Sequence, residues 1–110
     1  MSNHQLDLGR FAEPALLILI SLAEHPRHGY AMMEDIAAFA SVKLGPGTLY
    51  GAIARLEERG FITAVETNNR RQPYRLTEFG YAALNDQLEN ITSVTNAGLE
   101  RIQQQGKNPS

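Results

Sequence analysis

The chain has 110 residues, with 10 Lys plus Arg against 12 Asp plus Glu, so its formal net charge is −2 and its sequence pI is about 5.9. That length is one domain rather than two, and 43% hydrophobic with 20% charged residues is the composition of a folded chain, not a disordered one. The absence of cysteine excludes disulfide-stapled scaffolds, thiolate zinc sites and Cys nucleophiles, and the mild acidity runs against the basic footprint usual for a small nucleic-acid binder.

The most apolar stretch, Pro14 to Ala23 (PALLILISLA), falls far short of the roughly 20 residues a bilayer-spanning helix needs. Nor does Met1 to Arg10 carry the basic region of a signal peptide. No membrane is expected, and a cytoplasmic location is. The stretch reads as a buried helix whose apolar positions surround its circumference, packed on more than one side. It should end before Pro26, because proline disfavours helical geometry in the residue ahead of it. A second helix is predicted from about His28 to Ala40, with Tyr30, Met33, Ile36, Ala37 and Ala40 at helical spacing. Leu44-Gly45-Pro46-Gly47 interrupts the pattern, and Pro46 suits the first position of a third helix running to about Arg59, with Gly60 just past its end.

Beyond Gly60 the period becomes alternating. Phe61 to Thr67 (FITAVET) and Pro73 to Leu76 (PYRL) read as a hairpin around Asn68-Asn69-Arg70-Arg71-Gln72. Thr77 can cap a last helix through its hydroxyl, although Gly80 stands where a capping box would place Glu or Gln. Along that helix Tyr81, Leu84, Leu88 and Ile91 recur every three or four residues, and the seam continues past Thr95 and Gly98 to Leu99 and Ile102. Three helices followed by a two-stranded wing is the winged variant of helix-turn-helix, in which the third helix enters the major groove. The fold class is therefore mainly α (α+β), with residues 1–76 as the winged helix-turn-helix and 77–110 as a long C-terminal helix and short tail.

Charge is distributed unevenly over this order. Lys43 to Arg75 carries +3 and the remainder −5, so the positive part coincides with the third helix and the wing. Phosphate contacts depend on local Lys and Arg, and an acidic total does not exclude DNA. On the third helix Leu49, Ile53 and Leu56 fall within about 60° of one another and should face the core. The opposite side presents Gly47, Gly51, Ala54 and Glu58, flanked by Tyr50 and Arg55. Arg55 is the most capable base reader there, through a bidentate contact with guanine, and an ion pair with Glu58 is the competing role. Thr48 and Tyr50 suit phosphate contacts near a helix N-terminus, Tyr50 being equally readable as half-buried packing. Arg70 and Arg71 supply the cations of the wing, and Lys43 and Arg75 border it.

Catalysis finds no support. Gly45-Pro46-Gly47 opens like a dinucleotide-binding loop, but Tyr50 occupies the third glycine position and no strand precedes it. No Lys-Ser/Thr pair follows to make a phosphate-binding loop, and no nucleophile elbow occurs. His25 and His28 lack a third metal ligand nearby and read as helix-entry residues. No cofactor or metal is expected.

The segments LAEHPRHGY (Leu22 to Tyr30), LGPGTLYGAIARLEERGFI (Leu44 to Ile62) and YRLTEFG (Tyr74 to Gly80) together resemble the PadR family of bacterial transcriptional regulators over about residues 11 to 90. The resemblance implies a winged helix-turn-helix repressor that binds double-stranded operator DNA as a homodimer and responds to a small aromatic or cationic effector. So short a chain resembles the subfamily whose C-terminal part is a single dimerisation helix. It departs from the pattern where Gly45 replaces a capping Ser, Gly51 a common Pro, and Ala54 a frequently basic residue.

A last helix from Thr77 to about Gln105 would be ~42 Å long and would overhang a 76-residue body of ~11 Å radius of gyration. Pairing with a second copy would bury its apolar seam, making Tyr81, Leu84, Leu88, Ile91, Leu99 and Ile102 the expected dimer interface. Phe11, Leu88, Ile91 and Val94 are the candidate lining of an effector pocket, with ordinary interface packing as the plainer role. Twofold symmetry would set two recognition helices ~34 Å apart and call for an inverted repeat. The alternative is a winged-helix protein-protein interaction module without sequence-specific DNA binding, favoured by the small helix face and negative total.

Overall fold

Pro14 lacks the N–H that a first helical turn leaves unpaired in any case, and it opens helix α1 (Pro14–Glu24) in the computed structural model, which describes residues 13–107. Leu16, Leu17, Ile18, Leu19 and Leu22 are all buried, because α1 is enclosed by the other elements on several sides, as its continuous apolar run predicts. The helix stops at His25, ahead of Pro26.

A short strand, β1 (Arg27–His28), follows. His28 then enters helix α2 (Gly29–Ala40), its Nδ1 accepting the Ala31 N–H at 3.3 Å, the helix-entry role its position suggests. The core face of α2 is carried by Met32 and Ile36, both fully buried, rather than centred on Tyr30 and Ala37, which are exposed. Met33 and Ala40 flank that face, half-buried. Ser41 ends α2 in the left-handed region at φ 56°, its N–H bonded to the Ala37 carbonyl at 3.1 Å.

Helix α3 (Pro46–Glu58) starts on Gly45, which offers no side-chain cap, and buries Leu49, Ala52, Ile53 and Leu56. Its end is a Schellman motif: the Gly60 N–H donates to the Glu57 carbonyl and the Phe61 N–H to the Leu56 carbonyl, both at 3.0 Å. That geometry needs φ +83° at Gly60, a conformation glycine adopts without penalty.

The wing differs from a simple hairpin. Strands β2 (Ile62–Ala64) and β3 (Pro73–Leu76) pair antiparallel with Ile62 opposite Leu76, and β1 adds to the other side of β3 with Arg27 opposite Tyr74. The sheet therefore has three strands in the order β1-β3-β2. The first strand of the hairpin ends at Ala64 rather than Thr67, so residues 65–72 form the wing loop.

Helix α4 (Glu78–Lys107) is capped by Thr77, whose hydroxyl accepts the Gly80 N–H at 3.0 Å and donates to the Gly60 carbonyl at 2.6 Å. Leu84 lies 4% exposed in the core of its own chain, which corrects its assignment to a dimer interface: it is already covered by the body of its own protomer. Ile91 packs at the edge of that core, and beyond it the helix runs free of the body. Thirty helical residues span ~45 Å. The overhang stretches the molecule to 65 × 34 × 20 Å and its radius of gyration to 17.2 Å, against ~13 Å for a spherical domain of this size.

Candidate nucleic-acid interface

The sheet register places three separate segments around one cleft. Pairing of His28 with Pro73 draws the first turn of α2 against the base of the wing, and the N-terminal half of α3 closes the third side. The result is a cleft of about 320 Å³ lined by His28, Gly29, Tyr30, Tyr50, Arg70, Arg71, Gln72 and Tyr74. Of the residues singled out in the sequence as DNA contacts, Tyr50, Arg70 and Arg71 meet here. His28, Gly29, Tyr30, Gln72 and Tyr74 complete the lining, and the first three reach the wing only through the pairing of β1 with β3, which no period in the sequence marks.

The floor of the cleft is a glycine. A Cβ on Gly29 would lie 2.5 Å from the Tyr50 Cζ, with the hydroxyl nearer still, so the phenol end of Tyr50 rests on bare backbone at the start of α2. Tyr50 is nevertheless 49% exposed and keeps one face open. Arg71 reaches across the cleft, its Cζ 5.6 Å from the centroid of the Tyr30 ring. Burial pushes the Tyr74 phenol above its ordinary pKa of 10, with the Glu57 carboxylate and the Tyr50 phenol adding to the shift, so it stays neutral and can donate a hydrogen bond.

The wing loop is built to hold its cations outward. Gln72 Nε2 donates to the carbonyls of Val65 (2.7 Å) and Pro73 (2.8 Å), and the Val65 N–H donates to Pro73 at 2.9 Å, which knots the stem. Arg70 and Arg71 are exposed immediately before that knot. On α3, Gly47 and Thr48 are exposed in the first turn, and Gly51 one turn on is half-buried. Arg55 lies back over Gly51, its Nη1 3.7 Å from where a Cβ would stand, an ordinary contact distance that a small side chain there would also allow, and its guanidinium points along the helix toward the N-terminal end. Among the described residues no carboxylate comes within 4.0 Å of Arg55, so the expected pairing with Glu58 is not made. Lys43 is exposed in the α2–α3 connection, and Arg75 Nη1 donates to the Leu76 carbonyl at 3.1 Å, away from the cleft.

The seam of α4 divides in two. Tyr81 is half-exposed and its hydroxyl donates to the Ala23 carbonyl at 3.1 Å, tying α4 to α1. Leu88, 37% exposed, lies just before the helix leaves the body, and Val94, Leu99 and Ile102 are exposed on the overhang. Of the candidate effector-pocket residues, Phe11 lies outside the described residues, while Val94 is exposed and Leu88 partly so beside the half-buried Ile91. Among the described residues there is no cluster of three or more His, Cys, Asp or Glu that could hold a metal, and no helix long and apolar enough to cross a membrane.

The model of the transcriptional regulator PadR-like family matches residues 18–86. An uncharacterised 37.1 kDa protein in transposon TN4556 of Streptomyces fradiae is 34% identical over 91 residues, which cover 83% of this chain. The chain spans about a quarter of the length of that relative, 26%. A PadR family transcription regulator from Clostridium difficile superposes with a TM-score of 0.68 at 26% identity, over 78% of this chain and 97% of that one. A PadR family transcriptional regulator from Eggerthella lenta gives a TM-score of 0.67 at 28% identity, over 84% of this chain and 83% of that one.

Proposed function

The chain belongs to the PadR-like family of transcriptional regulators, and from that premise we propose that it is a repressor that binds an inverted-repeat operator as a homodimer and is released by a small aromatic or cationic effector. The observation that carries DNA binding is the convergence of Tyr50, Arg70 and Arg71 on one cleft at the exposed edge of α3 and the wing, within the segment that holds +3 while the rest of the chain holds −5. Thr48 and Tyr50 contact phosphate, Arg55 reads a base edge, and Arg70 and Arg71 contact the backbone through the wing. Lys43, Gly47, Gly51 and Arg75 border that surface.

Homodimerisation is supported by the overhang. Leu99 and Ile102 are 54% and 69% exposed on a helix with no other described element beneath them, and an apolar stripe of this kind is stable in water once a second helix covers it. A twofold pair sets the two recognition helices about one turn of DNA apart, ~34 Å. The effector reading is supported by Leu88, Ile91 and Val94, which stand where α4 leaves the body and a partner helix would close over them. The protein acts in the cytoplasm, where its DNA is.

Selection of bound sequences from random duplex DNA, with affinity then followed against salt, tests this function. An enriched inverted repeat is expected, with a log–log salt slope that falls by ~2 per protomer when Arg70 and Arg71 are both replaced by Ala, at about 0.9 per phosphate contact. Weak, salt-independent binding with no enriched sequence would favour the protein-interaction module instead.

A further inference from the structure

Three of the four tyrosines of the chain, Tyr30, Tyr50 and Tyr74, stand around the one cleft that also holds the wing cations. Tyr50 lies against Gly29 and Tyr74 is a strand residue of the sheet, but Tyr30 has no such packing role: it projects from the first turn of α2 with half its surface exposed. What it touches is Arg71. The guanidinium carbon lies 5.6 Å from the Tyr30 ring centroid, within cation–π range, and among the described residues no carboxylate is within 4.0 Å of Arg71 to compete for it.

The two ends of this contact are fixed independently. Tyr30 is held by α2, and the backbone of Arg71 is held by the Gln72 knot one residue on. Between them is the side chain with the most rotamer freedom to lose, and a loop-tip arginine that meets a phosphate unrestrained loses that freedom on binding. An exposed ring that already holds the guanidinium removes part of that loss, as preorganisation does in other interfaces.

We propose that Tyr30 is a positioning residue for DNA binding, its ring holding the Arg71 guanidinium at the exposed edge of the wing before a backbone phosphate arrives. The proposal rests on the DNA-binding reading above and adds to it a residue that itself contacts no DNA. It requires the ring and not the hydroxyl.

The test is a double-mutant cycle of Tyr30→Leu and Arg71→Ala in the full chain, with Tyr30→Phe alongside, read by fluorescence anisotropy on the duplex enriched by selection or, without enrichment, on a mixed duplex of roughly three helical turns. Tyr30→Leu should weaken binding by up to about five- to thirty-fold when Arg71 is present, the range of an exposed cation–π contact counted at both half-sites, and have no effect in the Arg71→Ala background. Tyr30→Phe should bind like the parent. In the free protein, the ring-current shift on the Arg71 side-chain protons should persist in Tyr30→Phe and vanish in Tyr30→Leu. Equal weakening by Tyr30→Leu in both backgrounds would overturn the proposal, as would no weakening in a parent that binds DNA and loses affinity on Arg71→Ala. A parent with no affinity for either duplex would instead overturn the DNA-binding reading, and the proposal with it.

Discussion

Replacing Gly29 by Ala separates stability from recognition. The added methyl would stand 2.5 Å from Tyr50 Cζ and 2.8 Å from Cε1, whereas carbon atoms settle at about 3.5–4.0 Å, so the phenol must retreat by roughly 1 Å. It can do so, because the atoms met are the far end of a side chain that is 49% exposed. Gly29 is the first residue of α2, where the interior preference of alanine over glycine of about 0.5–1 kcal/mol is only partly realised, and with the ring free to yield, unfolding free energy by urea denaturation should change by less than about 1 kcal/mol. Affinity should respond differently. A hydrogen bond confined to about 2.7–3.2 Å does not survive a displacement of roughly 1 Å, and losing one of about 0.5–1.5 kcal/mol at each of two half-sites predicts a roughly five- to hundred-fold weaker operator complex in an anisotropy titration. A large stability loss would mean the ring cannot yield. Unchanged affinity with unchanged stability would show that Tyr50 does not contact DNA, and would remove it from the interface.

Gly80→Ala should behave in the opposite way: its methyl would collide with the backbone carbonyl of Phe61, which cannot swing aside, and a loss of at least about 2 kcal/mol in thermal or urea unfolding is expected. Leu99→Glu with Ile102→Glu should leave the helical circular dichroism and unfolding midpoint of the body intact while sedimentation shifts from dimer to monomer, since both side chains stand clear of the protomer core. A persistent dimer would place the interface elsewhere. Tyr74 contributes to pH dependence at the alkaline end. Its pKa is raised in the fold, chiefly by burial, so its contribution to stability is complete below pH 10 and is lost as pH climbs through the folded value. Tyr74→Phe should flatten the decline in unfolding free energy above pH 10; an unaltered decline would assign it to other groups.

Most of the architecture was legible because it rests on local chemistry. Pro46 at a helix start, Gly60 past a helix end and the Thr77 hydroxyl at a helix cap each do what their position in the chain suggests, and the Leu49, Ile53, Leu56 face of α3 follows from helical spacing alone. β1 was not legible, since two residues carry no period and Arg27-His28 becomes a strand only because β3 arrives beside it. That single pairing accounts for the missed half of the cleft, because it is what brings His28, Gly29 and Tyr30 to the wing. Leu84 shows the converse limit: heptad spacing reports that a side chain is covered, not whether its own chain or another covers it.

The Thr77 hydroxyl receives the N–H of Gly80 and gives its own proton to Gly60, so one oxygen joins the end of the recognition helix to the start of the long one. With Tyr81 bonded to Ala23 and Leu84 in the core, that junction holds the first half of α4 rigidly on the body, and the lever is the part beyond Ile91. A tilt of about 5° where the helix leaves the body moves the far end of that ~24 Å overhang by roughly 2 Å. In the proposed dimer the far ends are pinned together, so the same tilt appears at the other end, as a change in the distance between the two DNA-reading helices. In that dimer the separation of the two DNA-reading helices would be set by how firmly Thr77 and Leu84 seat the long helix on its own body, residues that lie in the protomer and not at either surface.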